Sequence, residues 1–337
     1  MIGRSILIAA GLAAAVSGKA DFKGHPPMPY HHGPPNTNGS FTLEEGKAFL
    51  AELQQNYTKN TVEALKQNAT AQCNSNNVLI RRAWDDLDEF ARAEYIRAVK
   101  CLARQPARTD KSVVPGVRNW IDDFVWQHIN QTNYVHVSGL LLPWHRQLTY
   151  SWEKSLREQC DYKGALPYWP WERHALNLSE SPVFGPGPTA FGSNGAYVPH
   201  GEIVETFLDL PPPGLTITRA PAHGGGYVMD GAFGNNTDWT LHLGPVTPTN
   251  NSVWGSNNTP PYEFGQRYNP RPLKRDIYQD VATELLNYTK VAQLMRQDSI
   301  HTFHPTLENN GVHIGGHFYV GGDGGDIYTS PNEPLFW

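Results

Sequence analysis

The sequence predicts a mainly α-helical protein whose helices are covered by long irregular loops with short β-strands. Apolar residues recur with helical spacing on both sides of a middle region, 167–268, that is rich in Gly, Pro and Asn. Histidines stand in or beside the helical stretches, at positions 128, 136, 145, 313 and 317. Paired helices that turn histidines inward are the arrangement of a metal site in a helical bundle. We therefore predict a four-helix bundle around a metal centre.

The N-terminal residues have the composition of a secretory signal. A basic Arg4, an apolar run and small residues near position 20 open the chain, and no later run reaches the roughly 20 apolar residues of a membrane-spanning helix. We predict a signal peptide over residues 1–20, an extended N-terminal arm over residues 21–41, and one metal-binding domain over residues 42–337. The His31-His32 pair is predicted to be part of the solvated arm. A secreted, extracellular protein is expected.

Other features of composition agree with that location. Nine Asn-x-Ser/Thr sequons are present, at Asn38, Asn56, Asn68, Asn130, Asn177, Asn235, Asn250, Asn257 and Asn287. The net charge of -5 and the lack of a basic tract argue against a nucleic-acid partner, and no membrane partner is expected. The three cysteines Cys73, Cys101 and Cys160 predict one disulfide, whose pairing the sequence leaves open. The oligomeric state is also left open.

Capping residues locate the first two helices. Thr42 and Glu45 form a capping box for a helix that runs to about residue 67, and Asp88 caps a second helix over residues 89–103. The apolar face predicted for the second helix consists of Phe90, Ala93, Tyr95, Ile96, Val99 and Leu102. Both helices are predicted to be part of the scaffold.

The later helices carry the histidines. Helices are predicted over residues 116–130, 144–159 and 276–297. His128 then falls on the last turn of one helix and His145 on the first turn of the next, which Pro143 helps to start. The stretch 301–308 is predicted to be a loop that leads to His313. The histidines would thus approach the site from paired helices.

The histidine spacing itself indicates a metal. His128, His136 and His145 lie eight and nine residues apart among Trp and Leu residues, and buried imidazoles cost free energy unless they are hydrogen-bonded or ligating. His313 and His317 stand four apart, so that they can share one face of a helical turn. Neither group contains a cysteine, which argues against a structural zinc site and favours a histidine-ligated copper or zinc centre.

At these residues the sequence resembles the tyrosinase and catechol oxidase family. The resemblance places His128, His136 and His145 at the three ligand positions of one copper, CuA, and His313 and His317 at the first two positions of a second, CuB. It extends to Arg82-Ala83-Trp84, to Pro167-Tyr168-Trp169-Pro170-Trp171 and to Ser330-Pro331-Asn332-Glu333-Pro334-Leu335-Phe336-Trp337. It implies a binuclear copper site, dioxygen as co-substrate, and a short secreted fungal type of enzyme.

One ligand of that family is not in the sequence. In the family, the tract that here reads Pro334-Leu335-Phe336-Trp337 continues into Leu-His-His, which supplies the third CuB ligand. We expect a C-terminally truncated domain without its last bundle helix. Such a chain would bind one copper, with feeble catalysis, unless His301 or His304 replaced the sixth ligand.

Three functions follow from the resemblance. The first is oxidation of small phenolic substrates, o-diphenols and in some members monophenols, to o-quinones with two copper ions and dioxygen. The second is a truncated, catalytically inactive tyrosinase-like glycoprotein that binds copper. The third is a dioxygen carrier like the related haemocyanins. Copper stoichiometry together with quinone formation separates them.

Further residues refine the expected chemistry. Glu308 resembles a family glutamate that holds a water near the coppers, and a buried carboxylate with a raised pKa there would serve as a general base. Ile314 stands where several monophenol hydroxylases have Asn, which favours diphenol oxidation because an apolar side chain makes no hydrogen bond. Tyr134 stands where some relatives place a cysteine that is linked to a histidine, so no thioether is expected. Ile327 falls near the family's gate position, and Arg146 is expected to be a structural cation.

Overall fold

The computed structural model describes residues 40–70, 73–207, 215–246 and 265–337. The predicted signal peptide, nearly all of the predicted arm with His31 and His32, and the sequons at Asn38, Asn250 and Asn257 lie outside the described residues. Within the described ranges the chain is mainly helical with a few short strands, which confirms the predicted fold class. The four-helix arrangement in detail stays a prediction.

The helices fall into two groups on either side of the strands. In chain order they are α1 (Leu43–Gln67), α2 (Glu89–Leu102), α3 (Trp120–Val135), α4 (Leu141–Gln159), α5 (Gln279–Leu285), α6 (Tyr288–Met295), α7 (Ile300–Asn309), α8 (Val312–Val320) and the short α9 (Gly322–Gly325). Turns of 3₁₀ helix lie at Trp84–Asp86, Trp171–Arg173, Leu178–Glu180, Ser330–Asn332 and Pro334–Phe336. Helix α4 packs on both α2 and α3, α8 packs on α5, and α1 packs on α6.

In the described part of the Gly- and Pro-rich middle region there are four short strands, where the sequence predicts them. The strands are β1 (Gly195–Tyr197), β2 (Ile203–Phe207), β3 (Leu215–Arg219) and β4 (Gly225–Val228). They form two antiparallel pairs, β1 with β4 and β2 with β3. Neither pair has the three or more strands that a self-supporting sheet needs, so both depend on packing against the helical part.

The capping box predicted for α1 is present. Glu45 N–H donates to Thr42 Oγ1, and the Glu45 carboxylate accepts from Thr42 N–H at 2.8 Å. Asp88 caps α2 as predicted, by accepting from Ala91 N–H. The buried face of α2 includes Tyr95, Ile96, Val99 and Leu102. Phe90 and Ala93 were wrongly assigned to that face: both are exposed, because the helical period places them on the side of the helix opposite Tyr95, Val99 and Leu102.

The two helices that carry His128 and His145 differ from the prediction in their bounds. Helix α3 begins after Asn119, which forms a capping box with Asp122, and it continues five residues past 130. His128 is therefore in the interior of α3 and not on its last turn. Helix α4 begins at Leu141, so that Pro143 is its third residue and His145 lies on its second turn. Proline is tolerated there because the first-turn N–H groups have no intrahelical acceptor.

The C-terminal half of the helical region is more broken than predicted. The single helix expected over 276–297 is two helices, α5 and α6, because Asn287 caps α6 by accepting from Lys290 N–H. The expected loop over 301–308 is wrong: α7 occupies it, capped by Ser299 and with Pro305 in its interior. The helix forms although proline at an interior position removes one helical hydrogen bond.

A large apolar core joins the helices to the loops around them. It includes Trp84, Trp152 and Leu156, and the 3₁₀ segment at the C-terminal end packs against it through Phe336 and Trp337. Trp337 stacks on Trp152 with ring centroids 4.1 Å apart. That segment is also held by a buried ion pair, in which two guanidinium nitrogens of Arg275 donate to the Glu333 carboxylate at 2.7 and 2.9 Å.

One disulfide is present, as predicted, and it resolves the pairing. Cys101 at the end of α2 is bonded to Cys160 just after α4, while Cys73 is an exposed free thiol. None of the helices in the described parts of the chain is both long enough and apolar enough to span a bilayer.

Candidate metal centre

Three histidines come together between α3 and α4, and we call His128, His136 and His145 the histidine trio. His128 is fully buried inside α3, His136 is the residue at which α3 ends, and His145 is on the second turn of α4. One ring nitrogen from each lies within 4.8 Å of the others, and the ring centroids are 4.9 to 5.4 Å apart. Among the described residues this is the only group of three side chains able to hold a metal.

The outer nitrogen of each ring in the trio faces a backbone carbonyl. His136 Nδ1 lies 3.0 Å from the Thr132 carbonyl, and His145 Nδ1 lies 2.8 Å from the Leu141 carbonyl, each four residues earlier in the chain. His128 Nδ1 lies 2.8 Å from the carbonyl of Tyr328, 200 residues away. A carbonyl can only accept, so each Nδ1 carries the proton and each Nε2 presents a lone pair.

Burial keeps the trio neutral. Desolvation lowers the pKa of His136 to about 3 and that of His145 to about 4, and it lowers the pKa of the fully buried His128 well below its ordinary value. The neighbouring imidazoles act in the same direction because they disfavour a second positive charge. Neutral rings are the form in which histidine binds metals.

Two further histidines lie on one face of α8, and we call His313 and His317 the histidine pair. Their ring centroids are 5.3 Å apart, as expected for residues four apart on a helix. His317 Nδ1 faces the Gly324 carbonyl at 3.1 Å, and burial lowers its pKa to about 3. His313 Nδ1 donates instead to a carboxylate oxygen of Glu308, at 2.9 Å.

Two glycines between these histidines allow α8 to pack closely. A Cβ at Gly316 would lie 2.8 Å from the Trp171 ring, and a Cβ at Gly315 would lie 2.9 Å from Leu285. These distances are shorter than ordinary van der Waals contacts, so each position requires glycine. The indole of Trp171 on one side and α5 on the other therefore fix where the pair stands.

The trio and the pair face each other. The His136 ring is parallel to the His313 ring with centroids 6.2 Å apart. Phe336 contacts both groups, with its ring centroid 5.5 Å from that of His128 and 6.1 Å from that of His317. Five imidazoles thus line one space, although they come from residues as far apart in sequence as 128 and 317.

The chemistry of the trio fits a bound cation. His128 Nε2 and His145 Nε2 lie 3.4 Å apart, and neither has a proton to donate because both rings are protonated at Nδ1. His136 Nε2 is buried and has no hydrogen-bond partner. Three lone pairs that converge in a buried space repel one another, and a cation between them would replace that repulsion with bonds. The two residues of the pair would hold a second ion from the opposite side.

Comparison with known proteins assigns the site to a family. Residues 118–337 match the family model for the common central domain of tyrosinase. The chain belongs to the tyrosinase family. It is 39% identical to the tyrosinase-like protein orsC of Emericella nidulans over 79% of this chain and 72% of that protein. It is 37% identical to tyrosinase P of Aspergillus terreus over 77% of this chain and 71% of that protein.

The three-dimensional comparison agrees with the family assignment. A mutant polyphenol oxidase from Thermothelomyces thermophila superimposes with a TM-score of 0.76 at 38% sequence identity, over 86% of this chain and 76% of that one. N-acetyl-6-hydroxytryptophan oxidase ivoB of Emericella nidulans is 36% identical, over 79% of this chain and 72% of that protein. The chain is thus an oxidoreductase of the tyrosinase type, with a copper site implied by its domain.

Glu308 does not have the environment predicted for it. The sequence suggested a buried carboxylate free to act as a base, but its side chain is 27% exposed and its carboxylate accepts from His313 Nδ1. Outer acceptors of this kind fix the tautomer of a ligating histidine and raise its basicity. The observed contact makes Glu308 a positioning residue for His313, whereas its role as a base stays a prediction.

The other side chains singled out in the sequence differ in their burial. Tyr134 is 69% exposed, and Ile327 packs at the edge of the core. Arg146 is exposed, and its side chain makes no hydrogen bond or ion pair among the described residues, so its structural role stays a prediction. His304 is buried, but among the described residues it belongs to no group of three metal-binding side chains. His301 is exposed on α7.

The histidines of the middle region have structural contacts, as predicted. His174 Nε2 lies 2.5 Å from Asp85 Oδ2, His242 Nδ1 lies 2.9 Å from Asp122, and His200 lies 3.3 Å from Asp276. His223 is exposed. These carboxylate contacts place each ring outside the trio and the pair.

The carbonyls of Tyr328 and Gly324 were not found from the sequence. Every residue has a carbonyl, so nothing in the side-chain pattern distinguishes these two. The nearby Asp323 and Asp326 were a possible signal, because aspartates beside glycines often fix turns by accepting backbone N–H groups. Their significance depends on contacts with residues far away in the sequence.

Proposed function

We propose that the chain is a secreted copper oxidase that converts o-diphenols to o-quinones with dioxygen. The observation that carries the proposal is the convergence of three Nε2 lone pairs in the trio, faced by the pair on α8. Bound copper would supply the redox chemistry, in which two diphenols give up four electrons and four protons in all, two quinones form, and one dioxygen is reduced to two waters. The tyrosinase family membership supports this reaction class, and tyrosinase-family enzymes act on phenolic substrates.

The residues of the chain would divide the work of holding the ions. His128, His136 and His145 would hold one copper, and His313 and His317 would contribute to holding the second. The carbonyls at Thr132, Leu141, Tyr328 and Gly324 keep the protons on Nδ1, so that every Nε2 stays free to bind. Glu308 does the same for His313 through its carboxylate, and we propose that the same carboxylate serves as the general base for the phenol proton.

Secretion is supported by two independent features. The first 20 residues have the composition of a signal peptide. The Cys101–Cys160 disulfide is of a kind that persists in oxidising compartments and is rare in the cytosol. Release into the medium of a eukaryotic host, with cleavage near residue 20 seen by N-terminal sequencing, would establish this point.

The substrate preference we propose is diphenol over monophenol. Ile314 follows the first histidine of the pair, and its half-buried apolar side chain offers no hydrogen bond to assist removal of a phenol proton. We expect initial rates on dopamine well above those on tyramine. Comparable rates without a lag would contradict the preference and leave the copper proposal untouched.

The decisive experiment measures copper and turnover together. The full chain is reconstituted with copper, the metal is counted by mass spectrometry, and quinone formation from catechol is followed with oxygen uptake. Two coppers with turnover support the proposal, and the His136→Ala variant should then lose both one copper and the activity. His223→Ala, an exposed histidine outside the site, is the matched control.

A second candidate is a copper-binding glycoprotein without turnover. It is favoured by one observation: within the described ranges only the trio forms a group of three metal-binding side chains. One copper per chain and no quinone would support this alternative. Two coppers with reversible oxygenation but no quinone would indicate a dioxygen carrier instead.

A further inference from the structure

The trio and the pair share one element that neither sequence motif contains. Gly324 and Tyr328 lie four residues apart, and their carbonyls accept from His317 Nδ1 and His128 Nδ1, at 3.1 and 2.8 Å. One short stretch of backbone therefore fixes a ring in each half of the metal centre. The other three histidines are fixed by their own helices or by Glu308.

Two buried aspartates hold this stretch in place. Asp326 Oδ1 accepts from Tyr328 N–H at 3.0 Å and from Thr329 N–H at 2.9 Å, and Asp326 Oδ2 accepts from Val246 N–H at 2.7 Å. These bonds close the turn that aims the Tyr328 carbonyl at His128. Removing a buried acceptor leaves the N–H groups unpaired, so the turn could not keep this conformation without cost.

Asp323 anchors the other end of the stretch. Its carboxylate accepts from Lys274 N–H at 2.9 Å and from the guanidinium of Arg271, and its own N–H donates to the Lys274 carbonyl. Asp323 immediately precedes Gly324, whose carbonyl faces His317. Both aspartates are 4% exposed, and the donors described above are backbone N–H groups and Arg271, so through these bonds their effect on the rings passes through the backbone.

We propose that residues 323–328 form a shared brace, which sets the tautomers of His128 and His317 together, with Asp323 and Asp326 as its positioning residues. The proposal rests on the proposed function in one respect, that these histidines are copper ligands. The bound form requires the proton on Nδ1, whereas in water a neutral imidazole carries it mostly on Nε2. A brace that fails would therefore misdirect one ligand in each half at once.

The first test needs no metal. The full chain is labelled with ¹⁵N histidine, and long-range ¹H–¹⁵N spectra report the tautomer of each ring in the metal-free protein. In the parent chain we expect Nδ1–H for both His128 and His317. In Asp323→Asn and in Asp326→Asn we expect both rings to lose that pattern, while His136 and His145 keep theirs because their acceptors are within their own helical turns.

A matched control separates positioning from general destabilisation. Asp122 is 2% exposed and also accepts two backbone N–H groups, from Arg118 and Asn119, but it lies outside the brace. Asp122→Asn should lower the stability and leave the tautomers of His128 and His317 unchanged. Should either brace variant fail to fold, Asp326→Glu, which keeps a charged acceptor, is compared with the parent and should retain both Nδ1–H patterns.

The second test uses copper(II) itself, titrated against a competing chelator. Outer-shell partners change metal affinity by about 10- to 100-fold, so Asp326→Asn should weaken binding to both halves by that factor. Glu308→Gln, which touches only His313, should weaken binding to one half. Changes confined to the nearer ring in each brace variant, or equal changes in Asp122→Asn, would overturn the shared brace. Because the first test is done without copper, a chain that binds copper but forms no quinone would count against the proposed function only.

Discussion

The two halves of the metal centre are held in different ways. In the trio, His136 and His145 are fixed by carbonyls four residues earlier in the chain, and His128 and His136 are buried while His145 is half-buried. In the pair, His317 depends on a carbonyl in the following turn, and His313 depends on the half-buried carboxylate of Glu308. Helix α8, which carries the pair, is placed by contacts with Trp171 and α5.

The difference separates local from tertiary preorganisation. Two of the trio's outer hydrogen bonds form as soon as their helical turns form, whereas the position of the pair depends on the packing of several segments. A site whose ligands are fixed before binding loses less free energy on binding. The trio should therefore bind copper first and more tightly, and the following changes test that order.

The largest expected effect comes from the most buried ligand. His128→Ala should weaken copper binding to the trio by more than about 100-fold, because loss of a ligand exceeds the loss of an outer partner. It should also lower the free energy of unfolding by about 2–4 kcal/mol, since it empties a fully buried position. The side chain of His313 is 24% exposed, so His313→Ala should weaken copper binding at the pair only and change the free energy of unfolding by no more than about 1 kcal/mol. Chelator competition and denaturant unfolding measure both. Equal losses of stability would show that the halves are equally built into the fold.

The disulfide is expected to protect the trio selectively. It joins the end of α2 to the end of α4, the helix that carries His145, and closes a loop with a sequence separation of 59 residues. Replacing Cys101 and Cys160 with serine should lower the free energy of unfolding in urea by about 2–4 kcal/mol. It should weaken copper binding at the trio more than at the pair. Cys73→Ser changes an exposed free thiol and should stay within about 0.5 kcal/mol of the parent. A larger loss of copper affinity at the pair than at the trio would contradict this prediction.

The pair should be sensitive to close packing instead. Gly316→Ala places a Cβ 2.8 Å from the Trp171 ring, and overpacking of this kind costs about 1–3 kcal/mol. Copper binding at the pair should weaken, while the copper affinity of the trio should stay unchanged. Gly201→Ala, with no atom within 4 Å of the added Cβ, is the control. A Gly316→Ala/Trp171→Leu double variant should recover part of the loss, and additive losses would show that Trp171 does not position α8.

The smallest expected effect is at the surface. Arg173, in the same 3₁₀ turn as Trp171, donates to Asp86 at 2.8 Å, and this hydrogen bond and charge lower the Asp86 pKa below its ordinary 3.8. Because folding lowers this pKa, the ionised carboxylate stabilises the folded state at pH values above the unfolded-state pKa. This contribution is lost as the pH falls through the folded-state pKa. Because Asp86 is 52% exposed, Asp86→Asn should cost under about 1 kcal/mol at pH 7. In thermal melts the difference should fade below pH 3.8 and shrink with added salt. A difference that persists at lower pH would rule out the charge as its source.

The sequence predicted the fold class and the first helices because their signals are local. Thr42 with Glu45, and Asp88, cap the helices that follow them, and these bonds need no distant partner. The break between α5 and α6 was missed because Asn287 within an amphipathic run looks like an ordinary helical residue. Helix α7 was also missed, and it forms although Pro305 argues against a helix, because tertiary packing outweighs that preference here.

The site was predictable in its side chains and not in its backbone. The spacings 128, 136, 145 and 313, 317, together with the family resemblance, singled out five imidazoles, and the structure places these five around one space. Which residue fixes each ring was predictable only where the acceptor is four residues away on the same helix. The contact of Glu308 with His313, and the acceptors at Gly324 and Tyr328, depend on how separate segments pack, and side-chain spacing carries no record of that.

The 200 residues between His128 and the carbonyl of Tyr328 also set an order of events during synthesis. A ribosome adds about 5–20 residues per second, so roughly 10–40 s separate the appearance of these two groups. Once His145 has been added, the nascent chain carries all three histidines of the trio, and His128 still has no acceptor to direct its ring. An ion captured then would meet a ligand set that is still free to bind in other geometries. Correct metal loading is therefore a late step, one that follows translation of the distant segment.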